Sequence, residues 1–309
     1  MEAKARFYAA PGGFAYSTAA CLHIYCNINR QYAVPKSYNP GGTEMATYAF
    51  DKRTAIFLAA VCGQTYRCFS RPDGSFQIPG DFTLKAVFEA RSFANVKERF
   101  GLILESEDSI VVAFRGTGST VDWVSDVIAS QTRYPYVRNA GWTHEGFTNI
   151  YRSARAGIME VLNRLPVRKT LYITGHSLGG ALALLCGVDA AANSPHRPFV
   201  YTFGAPRVGD PAFAAAFNRR IPSCHRVYNR FDVVPRLPPL LYKSPRTGKV
   251  YPYMHVKSGY RLNFRNGSVS ANHILGGYFA ELAKLDPDYV RELIRRNPDF
   301  VPEQVSSGN

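Results

Sequence analysis

No stretch of the 309 residues holds the roughly 18 to 20 uninterrupted apolar residues of a membrane-spanning helix, so a soluble protein is expected. Residues 1–10 carry charges but lead into no apolar core of the length a secretory signal has. Retention inside the cell, prior removal of a signal and export by another route all fit, and the compartment stays open. There is no repeat and no low-complexity tract. The six cysteines (Cys21, Cys26, Cys62, Cys68, Cys186, Cys224) form no C-x-x-C and meet no paired histidine spacing, which argues against zinc. Cys21/Cys26 and Cys62/Cys68 are spaced to bridge, but free thiols are expected in a reducing compartment, and Cys186 reads as a core residue. Acidic side chains are scarce beside basic ones, 23 against 37, giving a net charge of +14 and a pI near 9.6. These cations are spread along the chain, and no helix-turn-helix, RNA-recognition or zinc-finger pattern accompanies them. Nucleic acid is therefore not an expected partner. Peripheral contact with anionic lipid surfaces and plain solubility are the two readings of the charge.

What is present is enough apolar material, 46% of residues, for a full core. A helix is expected over 51–66, strands over 82–90, 99–106 and 109–114, and a helix over 145–165 whose Phe147, Ile150, Tyr151, Ala154, Ile158, Val161 and Leu162 recur at helical steps. Further on, 198–203 and 224–228 read as strands, 211–217 as a short helix, 253–260 and 261–264 as a late strand pair, and 274–285 as a helix. Strands alternating with helices imply an α/β fold with a mainly parallel central sheet covered on both faces. A single domain over 1–309 is expected, with 1–45 wrapping its surface and 300–309 a flexible tail.

The chemistry-bearing segment is Leu171-Tyr172-Ile173-Thr174-Gly175-His176-Ser177-Leu178-Gly179-Gly180. An apolar run stops at a serine, glycines stand two residues to either side, and an Ala/Leu-rich helical pattern follows. That is the pattern of a strand–turn–helix nucleophile elbow, although a lone G-x-S-x-G also occurs as a helix cap. A serine hydroxyl needs a base to take its proton and a carboxylate to orient that base. In such folds the acid and then the histidine follow the serine in the chain. Asp232 sits at the tip of the loop after the strand 224–228, and His273 follows the loop 266–272 and projects from a mobile strand end. Their rivals are Asp210, which reads as the N-cap of 211–217, and His255, which lies within a strand-like run.

The strand 109–114 ends at Arg115-Gly116-Thr117-Gly118-Ser119, a turn that brings the Thr117 N–H and hydroxyl close to a ligand. With the Leu178 N–H it would form an oxyanion hole; a glycine hairpin turn is the plainer alternative. Next, Val121, Val124, Val127 and Ile128 form an apolar stripe, with Trp123 beside it. A lid that opens on lipid has this pattern, and so does an ordinary surface helix.

Over residues 51–285 the chain resembles the fungal-type, or class 3, lipase family of α/β-hydrolases. The resemblance rests on Gly-His-Ser-Leu-Gly-Gly at 175–180, Phe114-Arg115-Gly116-Thr117, Asp122-Trp123, Thr143-His144-Glu145-Gly146-Phe147 and Thr202-Phe203-Gly204-Ala205-Pro206-Arg207-Val208-Gly209-Asp210. It implies Ser177 as nucleophile, Asp232 and His273 as partners, Thr117 with Leu178 as oxyanion hole, and a structural His144. An acylglycerol substrate is implied, with no cofactor or metal. A soluble short-chain or feruloyl-type esterase, and a non-catalytic lipid-surface-binding protein, are the other readings.

Overall fold

The computed structural model describes residues 49–117 and 129–302. The fold is organised by strands whose two faces are both apolar. In β3 (Ser109–Phe114), Ile110, Val112 and Phe114 enter one core cluster while Val111 and Ala113 enter another. Side chains alternate across a strand, so a run without polar interruption must be covered on both sides. Among the described residues the sheet has seven strands. Thr83–Arg91 (β1), Lys97–Glu105 (β2) and β3 run antiparallel; Thr170–His176 (β6), Pro198–Phe203 (β7), Cys224–Asn229 (β8) and Gly259–Leu262 (β11) continue it in parallel, in the order β1-β2-β3-β6-β7-β8-β11. Gln131–Arg133 (β4) pairs with Trp142–His144 (β5), and Leu241–Lys243 (β9) with Val250–Pro252 (β10).

Helices cover both faces. On one side lies α1 (Lys52–Ser70), capped by Asp51, whose carboxylate accepts the Thr54 N–H at 2.6 Å. Its Ala55, Ala59 and Ala60 let it lie close against β2, β3 and β6. On the other side are α2 (Glu145–Arg164), α3 (Leu178–Asn193) and α4 (Pro211–Arg220). α3 is buried all round from Leu178 to Ala190, which is why its sequence shows no polar face. Its one buried charge, Asp189, is paired with Arg155 at 2.5 Å and accepts from the Tyr151 hydroxyl at 2.7 Å. α5 (Leu275–Ala283) packs beside α1, and α6 (Pro287–Arg296) follows it.

Register brings the functional segments together. Phe114 pairs with Gly175, His176 with Phe203, and Phe203 with Val227. The loops after β3, β6, β7 and β8 therefore leave from neighbouring positions at the carboxyl end of the sheet, where ligands bind in folds of this kind.

Three expectations need correction. The segment 253–260 is not a strand: the N–H groups of Tyr253, Met254 and Lys257 go to Leu240 O, Gly209 O and Asn218 Oδ1, three unrelated partners, leaving one isolated bridge at Met254 and a strand starting at Gly259. The expected strand 261–264 is thus the end of β11. Of the supposed tail, Phe300 is fully buried and its carbonyl accepts from Gln64 at 2.6 Å, so the packed body reaches it. The surface-wrapping segment 1–45 and residues 303–309 lie outside the described residues, as does the stripe containing Val121, Trp123, Val124, Val127 and Ile128. Among the described residues no helix is long and apolar enough to cross a membrane.

Candidate active site

Ser177 occupies the single residue between β6 and α3, with φ 58° and ψ −128°. A non-glycine residue held there costs of order 1–3 kcal/mol and persists only where its surroundings enforce it. The enforcement is visible on either side. A Cβ on Gly175 would stand 2.2 Å from the Gly179 carbonyl, and one on Gly179 would stand 2.3 Å from Phe114 O. Both collisions are with backbone, so neither yields. The Ser177 N–H is bonded to Phe203 O at 2.9 Å, and Leu178 opens the helix, where N–H groups have no partner inside it.

Asp232 follows β8 and is buried. Its Oδ2 is 2.5 Å from His273 Nδ1 and accepts the Tyr278 hydroxyl at 2.6 Å; its Oδ1 accepts the Val234 N–H at 2.9 Å. Burial, and then the Asp232 charge, pushes the Tyr278 phenol well above its usual range, so it remains a donor. His273 ends a short 3₁₀ turn, Ala271–His273. The expected mobile loop is instead tied down. Buried Asn229 donates to Asn272 O at 3.2 Å and accepts from the Phe264 N–H at 3.2 Å, while Asn272 accepts the Asn266 N–H at 2.8 Å.

His176 supports His273 from the other side, with ring centroids 4.7 Å apart. Its Nε2 lies 2.7 Å from His273 O and its Nδ1 2.8 Å from the Tyr66 hydroxyl. Burial, and then His273, holds the His176 imidazole well below its usual range, so it is neutral with one N–H. A carbonyl only accepts, so that N–H is on Nε2, and Tyr66 must donate to Nδ1.

Arg115 shapes the turn before Thr117. It lies between the Phe69 and Phe100 rings, pairs with Glu98 at 2.6 Å, and donates to Gly116 O at 2.9 Å. The polar atoms left buried without a hydrogen bond among the described residues include Ser177 Oγ, Thr117 Oγ1 and His273 Nε2, the imidazole nitrogen that Asp232 does not hold. A cavity of about 420 Å³, lined in part by Tyr66, Phe69, Thr117, His273, Ile274 and Leu275, opens beside them.

The rival groups have other tasks. Asp210 caps α4, accepting the Phe213 N–H at 2.7 Å. His255 Nε2 donates to Pro235 O at 2.6 Å, and burial followed by Arg226 pushes its pKa down to about 3. His144 caps α2 and stacks on Phe147 at 3.9 Å. His196 bonds Leu162 O at 3.0 Å, and His225 packs against Tyr201. Cys62, Cys68, Cys186 and Cys224 are buried free thiols. Among the described residues no group of three His, Cys, Asp or Glu side chains is placed to hold a metal. Tyr66, Tyr278 and Asn229 carry no local motif, and only the folded chain identifies them.

Residues 111–242 match the family described as Lipase (class 3). The chain is 37% identical to a lipase of Rhizomucor miehei over 156 residues, 48% of this chain and 42% of that one. It is 34% identical to phospholipase A1-II 1 of Oryza sativa subsp. indica over 164 residues, 45% and 42% of the two chains. It thus spans less than half the length of these relatives. A solved triacylglycerol lipase, in which a serine protease triad forms the catalytic centre, is similar with a TM-score of 0.53 at 25% identity, covering 70% of this chain and 80% of that one. The segment that holds the elbow and Asp232 is thus similar to the class 3 lipase family, and the fold is that of an α/β-hydrolase.

Proposed function

We propose that the chain hydrolyses carboxylic esters, acylglycerols first among them, through an acyl-enzyme on Ser177. The reading is carried by one observation: the outward nitrogen of an Asp232–His273 pair is buried and unpartnered, and so is a serine hydroxyl on an elbow. His273 Nε2 accepts the proton as Ser177 Oγ attacks the carbonyl carbon. Asp232 holds Nδ1–H and stabilises the imidazolium. The carbonyl oxygen, now negative, is taken by the Leu178 and Thr117 N–H groups, with the Thr117 hydroxyl as a further donor. His273 returns the proton to the leaving alcohol, and water repeats the cycle on the acyl-enzyme. The cavity walls at Tyr66, Phe69, Ile274 and Leu275 suit an apolar acyl chain. Residues 121–128 are proposed as a lid on their sequence pattern alone, testable as a rate jump when a short ester passes its solubility limit. The likeness to a phospholipase A1 favours phospholipid as a second acyl donor.

A panel of p-nitrophenyl esters, emulsified triacylglycerol and phospholipid vesicles, run with wild type and Ser177→Ala, tests the reading. Release of fatty acid from at least one glyceride, reduced by several orders of magnitude in the variant, is expected. Turnover in Ser177→Ala within tenfold of wild type would remove the mechanism.

A further inference from the structure

Beside Asp232 lies a second cavity of about 360 Å³ whose lining includes Arg207, Arg226, Arg230, Arg236, Arg261 and His255 but not Ser177. Arg226 on β8 pairs in register with Gly259, and Arg261 on β11 with Tyr228, so the two arginines project from the same face of adjacent strands. That face is apolar at Cys224 and then turns cationic. Among the described residues none of the five arginines has an acidic partner within ion-pair distance. Asp232 is the one carboxylate in the lining, and both its oxygens are engaged by His273, Tyr278 and Val234.

The hydrogen-bond acceptors of Arg207, Arg226 and Arg236 are carbonyls, which neutralise nothing. Arg207 donates to Pro238 O at 2.7 Å, Arg226 to Val256 O at 2.8 Å and Arg236 to Arg230 O at 2.8 Å. Arg207 Nε and His255 Nδ1 are buried with no hydrogen bond among the described residues. Burial, and then the charge of Arg226, lowers the pKa of both Arg207 and His255, so these groups are mutually close and poorly hydrated. Arg207 and Arg226 are half-buried while Arg230, Arg236 and Arg261 are exposed at the rim. Holding the inner two with no counter-charge is costly, and guanidinium forks match tetrahedral oxyanions in geometry as well as charge.

We propose that this cavity binds a phosphate-type oxyanion, free or carried as a phosphomonoester or lipid headgroup. The cavity shares Asp232 as a wall with the ester-hydrolysing site, but the proposal does not depend on that activity. Titration calorimetry of the full chain with inorganic phosphate, at fixed ionic strength in chloride, tests it. Saturable one-to-one binding is expected, weakened about tenfold or more by Arg226→Gln and by Arg261→Gln, as for loss of a charge-assisted contact. Arg152→Gln and Arg168→Gln, exposed cations on and after α2, which packs at the opposite sheet edge, should leave it unchanged. Should Arg226→Gln fail to fold by circular dichroism, the exposed Arg261 carries the test. Parallel titrations with glycerol 3-phosphate and with phosphatidylglycerol vesicles identify the source. Binding of the small anions marks a free ligand, and binding of vesicles alone, lost in the cavity variants, marks a headgroup. Absence of saturable binding for all three probes, or equal weakening by the two control variants, overturns the proposal.

Discussion

Tyr278 gives its hydroxyl proton to a carboxylate that already holds His273, and its oxygen accepts the Asn229 N–H at 3.1 Å. Tyr278→Phe removes both contacts inside a site with no water-facing alternative. A hydrogen bond to a buried charged group contributes about 1.5–3 kcal/mol, so urea denaturation should show a loss of that order. Turnover should fall with KM little changed, because Tyr278 positions Asp232 and does not touch substrate; an equal rise in KM would contradict this. Chain order and loop placement were enough to nominate Ser177, Asp232 and His273 from sequence, since Ser177 and Asp232 closely follow strands and His273 ends the loop before a helix. Tyr66 and Tyr278 were not legible. Their partners lie 110 and 46 residues away, and nothing local marks a tyrosine that bonds a distant side chain.

At the scale of elements, the strands buried on both faces were readable because two-sided burial demands an unbroken apolar run. β7 matches its expected limits, and β3 likewise. The three-residue pairs β4/β5 and β9/β10 were too short to produce any period. α6 went unread although Asp286-Pro287 marks its start, the Asp286 carboxylate accepting the Tyr289 N–H at 3.2 Å. The elbow supplies this scale's prediction. Gly179→Ala sets a methyl against the backbone of β3's last residue, and should give insoluble protein or a loss above about 3 kcal/mol. Gly157→Ala on the exposed side of α2, where a Cβ meets nothing within 4 Å, should instead stabilise by about 0.5–1 kcal/mol. Thermal melts of the two variants check both, and a tolerated Gly179→Ala would refute the packing account of the elbow.

The whole molecule carries several histidines buried in neutral form, and this sets its response to acid. Burial pushes His144 down to about 3, and burial followed by Arg226 does the same to His255. The unfolded value is about 6.5. Between those limits the unfolded chain binds protons that the folded chain refuses. Stability is therefore full above about pH 6.5 and declines as pH falls toward 3. At pH 5 each histidine accounts for roughly 2 kcal/mol of that decline. Urea midpoints measured from pH 7 to pH 5 should fall steadily, and His144→Asn should flatten the slope. A stability independent of pH over this range would contradict the burial of these rings.

The central claim, that one serine on one turn performs the chemistry, is tested most directly by a fluorophosphonate ester followed by mass mapping of the labelled peptide. Stoichiometric modification of Ser177 is predicted, nearly abolished in His273→Ala because no base remains to take the hydroxyl proton. Modification of another residue, or labelling of Ser177 at an undiminished rate in His273→Ala, would contradict it.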